Sequence, residues 1–176
     1  MVDALDAHRR ADDMRAFGVS NWTLPRIEEA NAYAAARGVA GISCNSPHLS
    51  LAVQNEPPWP GCLSAADAGS RAWHARTGMP LLAWSAQAAG FFAGAAGDAS
   101  RVYDNAANRE RRARAEQLGR RGGHTANAVA LAWVLAQPFP AIAVIGPHSV
   151  EHLRSSLEAL DVGLGAEDVR WLNLEA

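Results

Sequence analysis

Four short apolar runs, each followed by a segment with helical character, constrain the fold of this 176-residue chain more than any other feature. The runs cover residues 15–19, 41–44, 80–84 and 141–145. Parallel strands buried on both faces are typically short and continuously apolar, and strand–helix alternation is typical of a parallel sheet. The pattern therefore predicts an α/β fold with about four parallel strands and their helices.

Helix signals lie between and around these runs. Pro25 suits a helix start, Gly38 and Gly78 suit helix ends, and Thr125 suits an N-cap. Predicted helices cover residues 2–10, 25–37, 64–77, 105–121, 125–136, 150–160 and 166–172. The connections 45–63 and 85–103 are predicted to be long, and loops of that length in a compact domain usually carry function.

Composition excludes several classes of protein. The net charge of −2 and pI of about 6.3 do not suit binding to nucleic acid or to an anionic membrane. The two cysteines, Cys44 and Cys62, do not make a disulfide framework. Neither an apolar signal segment nor a membrane-length apolar window occurs in the sequence. We therefore expect one cytoplasmic domain over residues 1–176, with neither nucleic acid nor membrane as a partner.

Each predicted strand ends in small or polar residues, at 18–21, 44–48, 84–90 and 145–149. Carboxyl ends of parallel strands meet at one edge of the sheet, which is where α/β proteins bind ligands. Gly146 allows close backbone approach, and Ser149 can cap a helix whose N-terminus suits a phosphate. A single serine after a strand is more often only a helix cap. Four such ends in register predict one ligand site.

Several motifs at these positions resemble a known family. They are Arg15-Ala-Phe-Gly-Val-Ser-Asn21, Leu81-Leu-Ala-Trp-Ser85 with Gly90, Ala130-Leu-Ala-Trp-Val134, Val144-Ile-Gly146 and Ser149-Val-Glu-His-Leu153. Together they resemble the C-terminal half of an aldo/keto reductase over residues 2–172. The resemblance implies a partial (β/α)8 TIM barrel that carries strands five to eight. It also implies NADPH as the cofactor.

The resemblance assigns the nicotinamide end of that cofactor to four residues. Ser20 and Asn21 match the pair that hydrogen-bonds the nicotinamide carboxamide. Ser46 stands where the family usually has a glutamine in the same role. Trp84 stands where an aromatic residue, usually tyrosine, stacks on the nicotinamide ring, and the larger indole preserves that stacking.

The resemblance also implies a pyrophosphate-binding loop after the third strand. Ser85, Gln87 and Gly90 lie in the matching segment, although Ala86 replaces its common proline. We therefore expect these three residues to lie against the phosphates that link the two halves of the cofactor.

The adenosine 2′-phosphate is expected near the last strand. Gly146, His148 and Ser149 lie where the family binds this phosphate. His152 and Ser156 stand where it often has arginine or glutamine, and then asparagine. His152 would contact a phosphate or the adenine more weakly than arginine does. NADPH is therefore favoured over NADH by the resemblance and only faintly by the residues themselves.

The chemistry of the family is missing from this sequence. Its reaction transfers hydride to a carbonyl while a tyrosine, supported by lysine and aspartate, donates a proton and a histidine orients the carbonyl. All sixteen basic residues here are arginine, and neither Tyr33 nor Tyr103 follows a predicted strand. A tyrosine without a cationic neighbour keeps a pKa near 10 and is a poor acid. We expect a truncated reductase without catalytic residues, inactive alone, whose small carbonyl substrate requires a missing half.

Other interpretations stay open or are disfavoured. A non-enzymatic half-barrel that binds a nucleotide or a protein partner is the alternative, and exposed sheet edges predict self-association. His148 and His152 are four residues apart, but no further ligand completes a metal site. Cys44 near His48 fits a buried thiol better than a nucleophile. Trp59, in the long connection 45–63, either lines a substrate pocket or packs as a lid without ligand contact.

Overall fold

Four parallel strands form one sheet in the order β1-β2-β3-β4 in the computed structural model, which describes residues 1–175 apart from the side chain of Asp98. The strands are β1 (Val19–Ser20), β2 (Asn45–Ser46), β3 (Leu81–Ala83) and β4 (Ala141–Ala143). This confirms the predicted α/β fold. β1 and β2 begin four residues later, and end one or two residues later, than the apolar runs that predicted them. The two segments are already paired before these bounds, since Ser43 N donates to Phe17 O at 2.9 Å.

The strands alternate with helices as predicted. The helices are α1 (Val2–Arg10), α2 (Leu24–Arg37), α3 (Ala68–Thr77), α4 (Asp98–Tyr103), α5 (Ala106–Gly122), α6 (Ala126–Leu135), α7 (Val150–Leu157) and α8 (Ala166–Leu172). Two short 3-10 helices cover Ala88–Ala93 and Glu158–Leu160. Within residues 1–175, no helix has the length and apolar character needed to cross a bilayer.

Local signals explain where several helices begin and end. Thr125 caps α6, because its hydroxyl accepts a hydrogen bond from Ala128 N at 3.1 Å. Gly38 and Gly78 end α2 and α3 in the left-handed conformation that glycine adopts at little cost. These three predictions from the sequence are confirmed.

Two predictions about the long connections are wrong. The third helix begins at Ala68 rather than residue 64, because residues 63–65 bond to the buried backbone of His48 instead. His48 N donates to Leu63 O at 2.9 Å, and Ala65 N donates to His48 O at 2.8 Å. The connection 85–103 is also more ordered than predicted, since it contains a 3-10 helix and α4.

The main core lies between the sheet and α6. Residues 127–134 of α6 are all buried, as expected of a helix that is apolar on every side, and Trp133 is fully buried. A second cluster joins α2 to the start of the sheet through Phe17, Ile27 and Ile42. Here β1 and β2 approach closely at Gly18, where a Cβ atom would lie 2.2 Å from Cys44 Sγ.

The sheet has two outer strands, β1 and β4, each with one neighbour among the described residues. The surface is apolar at β4 and directly after it: Ile142 is 55% exposed and Val144 is 46% exposed. Leu157 and Leu160, on and after α7, are exposed as well. One edge of the sheet is therefore an apolar surface that this chain leaves uncovered.

Candidate functional site

The carboxyl ends of β1, β2 and β3 are linked by two serine hydroxyls. Ser20 Oγ donates to Ser46 O at 2.7 Å, and Ser46 Oγ donates to Leu82 O at 2.9 Å. A hydroxyl has one hydrogen and two acceptor lone pairs. Both serines have therefore used their hydrogen within the sheet and present acceptors to any ligand at this edge.

Asn21 lies next to Ser20 in the left-handed backbone region, with φ of 54°. Its Oδ1 accepts a hydrogen bond from Leu63 N at 3.1 Å, which fixes the orientation of the amide. The Nδ2 group makes none of the hydrogen bonds found among residues 1–175 and is left as a donor. An acceptor on Ser20 beside a donor on Asn21 is complementary to the two ends of a carboxamide.

Trp84 directly follows β3 and has two aromatic neighbours. The buried ring of His48 meets it edge-on, with centroids 5.1 Å apart and planes at 65°. Trp59 stacks on it, with centroids 5.0 Å apart and planes at 26°. Trp59 is 49% exposed, whereas His48 is fully buried, so Trp59 covers the solvent side of Trp84 and His48 the core side.

His48 is the centre of a buried polar cluster that the sequence analysis missed. Its Nδ1 lies 3.0 Å from Ser64 Oγ, and its Nε2 lies 3.2 Å from Ser50 Oγ and 3.1 Å from the Tyr103 hydroxyl. Burial lowers the pKa of His48 to about 4, and burial raises the pKa of Tyr103. Both groups are neutral near pH 7, and the His48 ring connects this cluster to Trp84.

A cavity of about 670 Å³ lies between the segment after β3 and the segment after β4. Seven of the predicted cofactor residues line it: Ser85, Gln87, Gly90, Gly146, His148, His152 and Ser156. The other five do not. Ser149 caps α7 by accepting from His152 N at 3.1 Å, and the remaining four are at the ends of β1, β2 and β3: Ser20, Asn21, Ser46 and Trp84.

The segment after β3 is conformationally strained. Three residues other than glycine have positive φ angles, namely Ser85 at 51°, Ala88 at 49° and Ala89 at 51°. Each costs on the order of 1 kcal/mol, and such residues cluster at ligand sites. Gln87 Nε2 donates to Ser156 Oγ at 3.0 Å, which ties this segment to α7 across the cavity.

Asn127 is the second residue that the sequence analysis missed. It is 9% exposed, lines the cavity, and its Oδ1 has no hydrogen-bond partner among the described residues. Ser156, by contrast, donates to His152 O at 2.8 Å and accepts from Gln87. The lining of the cavity therefore contains one buried amide oxygen without a partner, on Asn127, whereas the hydroxyl of Ser156 already makes two hydrogen bonds. A polar residue inside the apolar sequence of α6 was the available signal.

Gly146 leaves open space beside the cavity. A Cβ atom built there would meet nothing within 4 Å, so no other part of the chain requires glycine at this position. Among residues 1–175, no group of three histidine, cysteine, aspartate or glutamate side chains is placed to hold a metal ion. The cavity and the four residues at the ends of β1, β2 and β3 all lie toward the carboxyl edge of the parallel sheet.

Comparison with known proteins identifies the family. A profile of the aldo/keto reductase family matches residues 1–173, and the chain belongs to this family of oxidoreductases. In sequence, it is 49% identical over 45 residues to the uncharacterized oxidoreductase YrpG of Bacillus subtilis (strain 168), which is 26% of this chain and 14% of YrpG. The predicted resemblance is confirmed.

Solved structures agree with the fold. The thermostable aldo-keto reductase Tm1743, in complex with the inhibitor epalrestat, gives a TM-score of 0.71 at 20% identity, over 99% of this chain and 53% of that one. A protein described as a 2,5-diketo-D-gluconic acid reductase B gives 0.69 at 22% identity, over 99% and 50%. The chain therefore spans about half the length of these structures, and its four strands match part of their barrel.

Proposed function

We propose that this chain binds NADPH at the carboxyl edge of its sheet and forms the cofactor-binding half of an NADPH-dependent carbonyl reductase. The observation that carries the proposal is the 670 Å³ cavity, where residues from two strand ends meet Asn127, whose buried amide oxygen has no partner among the described residues. Bound NADPH supplies the hydride in such chemistry. What this chain supplies is a place to hold it.

The adenosine end of the cofactor suits the segment after β4. His148 and His152 are exposed there, beside the N-terminus of the eight-residue α7, where backbone N–H groups and the helix dipole favour a phosphate. Gly146 leaves room for a ligand, and rotation of the Asn127 side chain would bring its unpartnered Oδ1 to the base or ribose as an acceptor.

The nicotinamide end suits the ends of β1, β2 and β3. Ser20 and Asn21 offer the acceptor and the donor that a carboxamide requires, with Ser46 beside them. Trp84 offers an aromatic face, although Trp59 covers its solvent side in this conformation. The residues present therefore fit the adenosine end as they stand, and the nicotinamide end once Trp59 moves.

We also propose that the chain alone does not reduce carbonyls. The 176 residues contain no lysine. Tyr103 is buried and its raised pKa disfavours proton donation, while the Tyr33 hydroxyl donates to Asp3 on the outer helices at 2.6 Å. A small carbonyl substrate and its proton donor would then require residues outside this chain. The free thiols of Cys44 and Cys62 are compatible with a cytoplasmic location.

One observation favours a second candidate. The exposed apolar side chain of Ile142 on the outer strand β4 suits contact with another polypeptide. A non-enzymatic half-barrel that binds a nucleotide or a protein partner would have the same cavity and the same edge. It differs from the first candidate in having no reductase activity in any assembly.

Calorimetric titration tests the proposal. We expect NADPH and 2′,5′-ADP, which lacks the nicotinamide, to bind the wild-type chain, and the double variant His148→Ala/His152→Ala to weaken both about tenfold through lost phosphate contacts. His8→Ala, a change at an exposed histidine on α1, is the matched control and should leave both affinities unchanged. Absence of 2′,5′-ADP binding at millimolar concentration would refute the proposal. NADPH oxidation that depends on an added carbonyl would refute the claim of inactivity.

A further inference from the structure

The loop between β2 and α3 reaches back over the end of the sheet. Its apex is Trp59, which is stacked on Trp84 at 5.0 Å between centroids. Trp59 O accepts from Cys62 N at 3.2 Å, and Pro60-Gly61 fill the centre of this tight turn, with φ of 83° at Gly61. Proline followed by a glycine of positive φ is the sequence of a type II turn. The indole is therefore presented by a preformed turn.

Both ends of this loop are fixed. At its start, Asn55 N donates to Val102 O at 2.7 Å and Glu56 pairs with Arg101 at 2.9 Å. At its end, Leu63 N donates to Asn21 Oδ1 at 3.1 Å. The segment that can move between these anchors is short and has Trp59 at its centre.

The same loop thus contacts two of the residues assigned above to the nicotinamide. It takes up the amide oxygen of Asn21 and covers the solvent side of Trp84, while His48 occupies the core side. The half-exposed indole of Trp59 therefore takes up the aromatic face of Trp84 that the proposed function assigns to the nicotinamide ring.

We propose that Trp59 is a resident occupant of the nicotinamide subsite, so that the nicotinamide of NADPH must displace its indole from Trp84. This inference rests on the proposed cofactor function. It makes Trp59 a specificity-determining residue. The adenosine phosphate half of a nucleotide binds without displacing the indole, whereas binding of the nicotinamide half costs the free energy of the Trp59–Trp84 stack. Loss of one aromatic stack corresponds to about a three- to tenfold loss of affinity.

The test compares two ligands on one variant. Trp59→Ala should tighten NADPH binding about three- to tenfold and leave 2′,5′-ADP binding unchanged, since only NADPH carries the nicotinamide. Trp59→Phe, which keeps a smaller ring, should fall between wild type and Trp59→Ala. Tyr33→Ala removes an exposed aromatic ring from α2, away from the site, and should change neither affinity. Thermal melts of each variant establish that it is folded.

The outcomes separate the two claims. If 2′,5′-ADP binds and Trp59→Ala leaves NADPH affinity unchanged, Trp59 does not occupy the subsite. If Trp59→Ala weakens NADPH, the indole stacks on the nicotinamide as a second wall, which also contradicts displacement. If neither ligand binds the wild-type chain, both the cofactor proposal and the inference about Trp59 are wrong.

Discussion

Single side chains decide what the carboxyl edge of the sheet can bind. The hydroxyls of Ser20 and Ser46 donate their hydrogens to backbone carbonyls, and the amide oxygen of Asn21 accepts from Leu63 N. What remains free is one amide donor and the serine lone pairs. The sequence identified which residues stand at these strand ends. It could not reveal which of their atoms are already used, because the partners lie 26 to 42 residues away.

The neutral ring of His48 makes stability depend on pH. In the unfolded chain its pKa is near 6.5, and burial lowers it to about 4 in the folded chain. Between these values the unfolded state binds more protons, so stability is complete above pH 6.5 and falls as the pH drops toward 4, by roughly 3 kcal/mol in all. Denaturant unfolding from pH 7.5 to 4 measures this loss.

The variant His48→Gln provides the control for that measurement. Glutamine keeps hydrogen-bonding groups near Ser64 and Tyr103 but does not titrate, so the variant should be less stable at pH 7 and should lose less stability on acidification. Some slope will remain, because burial also lowers the pKa of His74. A slope equal to that of the wild type would show that His48 is not the titrating group.

Asn127 carries a cost that a ligand can offset. A buried acceptor without a partner costs about 1–3 kcal/mol, so Asn127→Leu should leave the stability of the free chain equal or higher while weakening NADPH about fivefold. Gln137→Leu is the matched control: its Oε1 is also buried and unpartnered, but Gln137 does not line the cavity. Thermal melts and titrations of both variants make the comparison. Equal NADPH affinity in Asn127→Leu and wild type would show that Asn127 does not contact the cofactor.

For the secondary-structure elements, local sequence signals determine where helices begin and end, whereas long-range contacts determine the structure of the connections. Pro25, Gly38 and Thr125 act within a few residues of themselves, so the bounds of α2 and α6 could be predicted to within a residue or two. The start of α3 could not, because residues 63–65 bond to the backbone of His48. Tyr103 likewise ends a helix that the sequence showed only as a connection, and its contact with His48 spans 55 residues.

The strand ends show the same division within the site. Alternation of strands and helices placed Ser20, Ser46, Trp84 and Gly146 at one edge of the sheet, and the family resemblance attached roles to them. Trp59 was recognised only as an aromatic residue in a long loop, with two roles left open. Its position over Trp84 depends on how a loop folds back, which hydrophobic periodicity does not encode.

For the whole molecule, the open edges of the sheet matter most. The β4 edge is apolar, with Ile142 about half exposed, and an exposed apolar edge strand is a template for pairing. We expect the isolated chain to self-associate, and Ile142→Lys to shift it toward monomer, since a charge on an edge strand opposes pairing. Light scattering across a concentration series measures this.

A charge added elsewhere on the surface is the control for that experiment. Tyr33→Lys adds the same charge at an exposed position on α2, outside the β4 edge, and should leave the association of the chain unchanged. A wild-type chain that stays monodisperse and monomeric, with cooperative unfolding, would show that the edges are not used for pairing.

The central claim is that the cavity between the ends of β3 and β4 holds the adenosine phosphate end of NADPH. Amide chemical shifts of the labelled chain, titrated with 2′,5′-ADP, test it most directly, since they report binding and location together. We predict saturable amide shifts at residues 85–90, at Gly146, His148 and Ser149, and at Asn127, with α1 and α8 unaffected. Saturable shifts confined to other surfaces, or none at millimolar ligand, would contradict it.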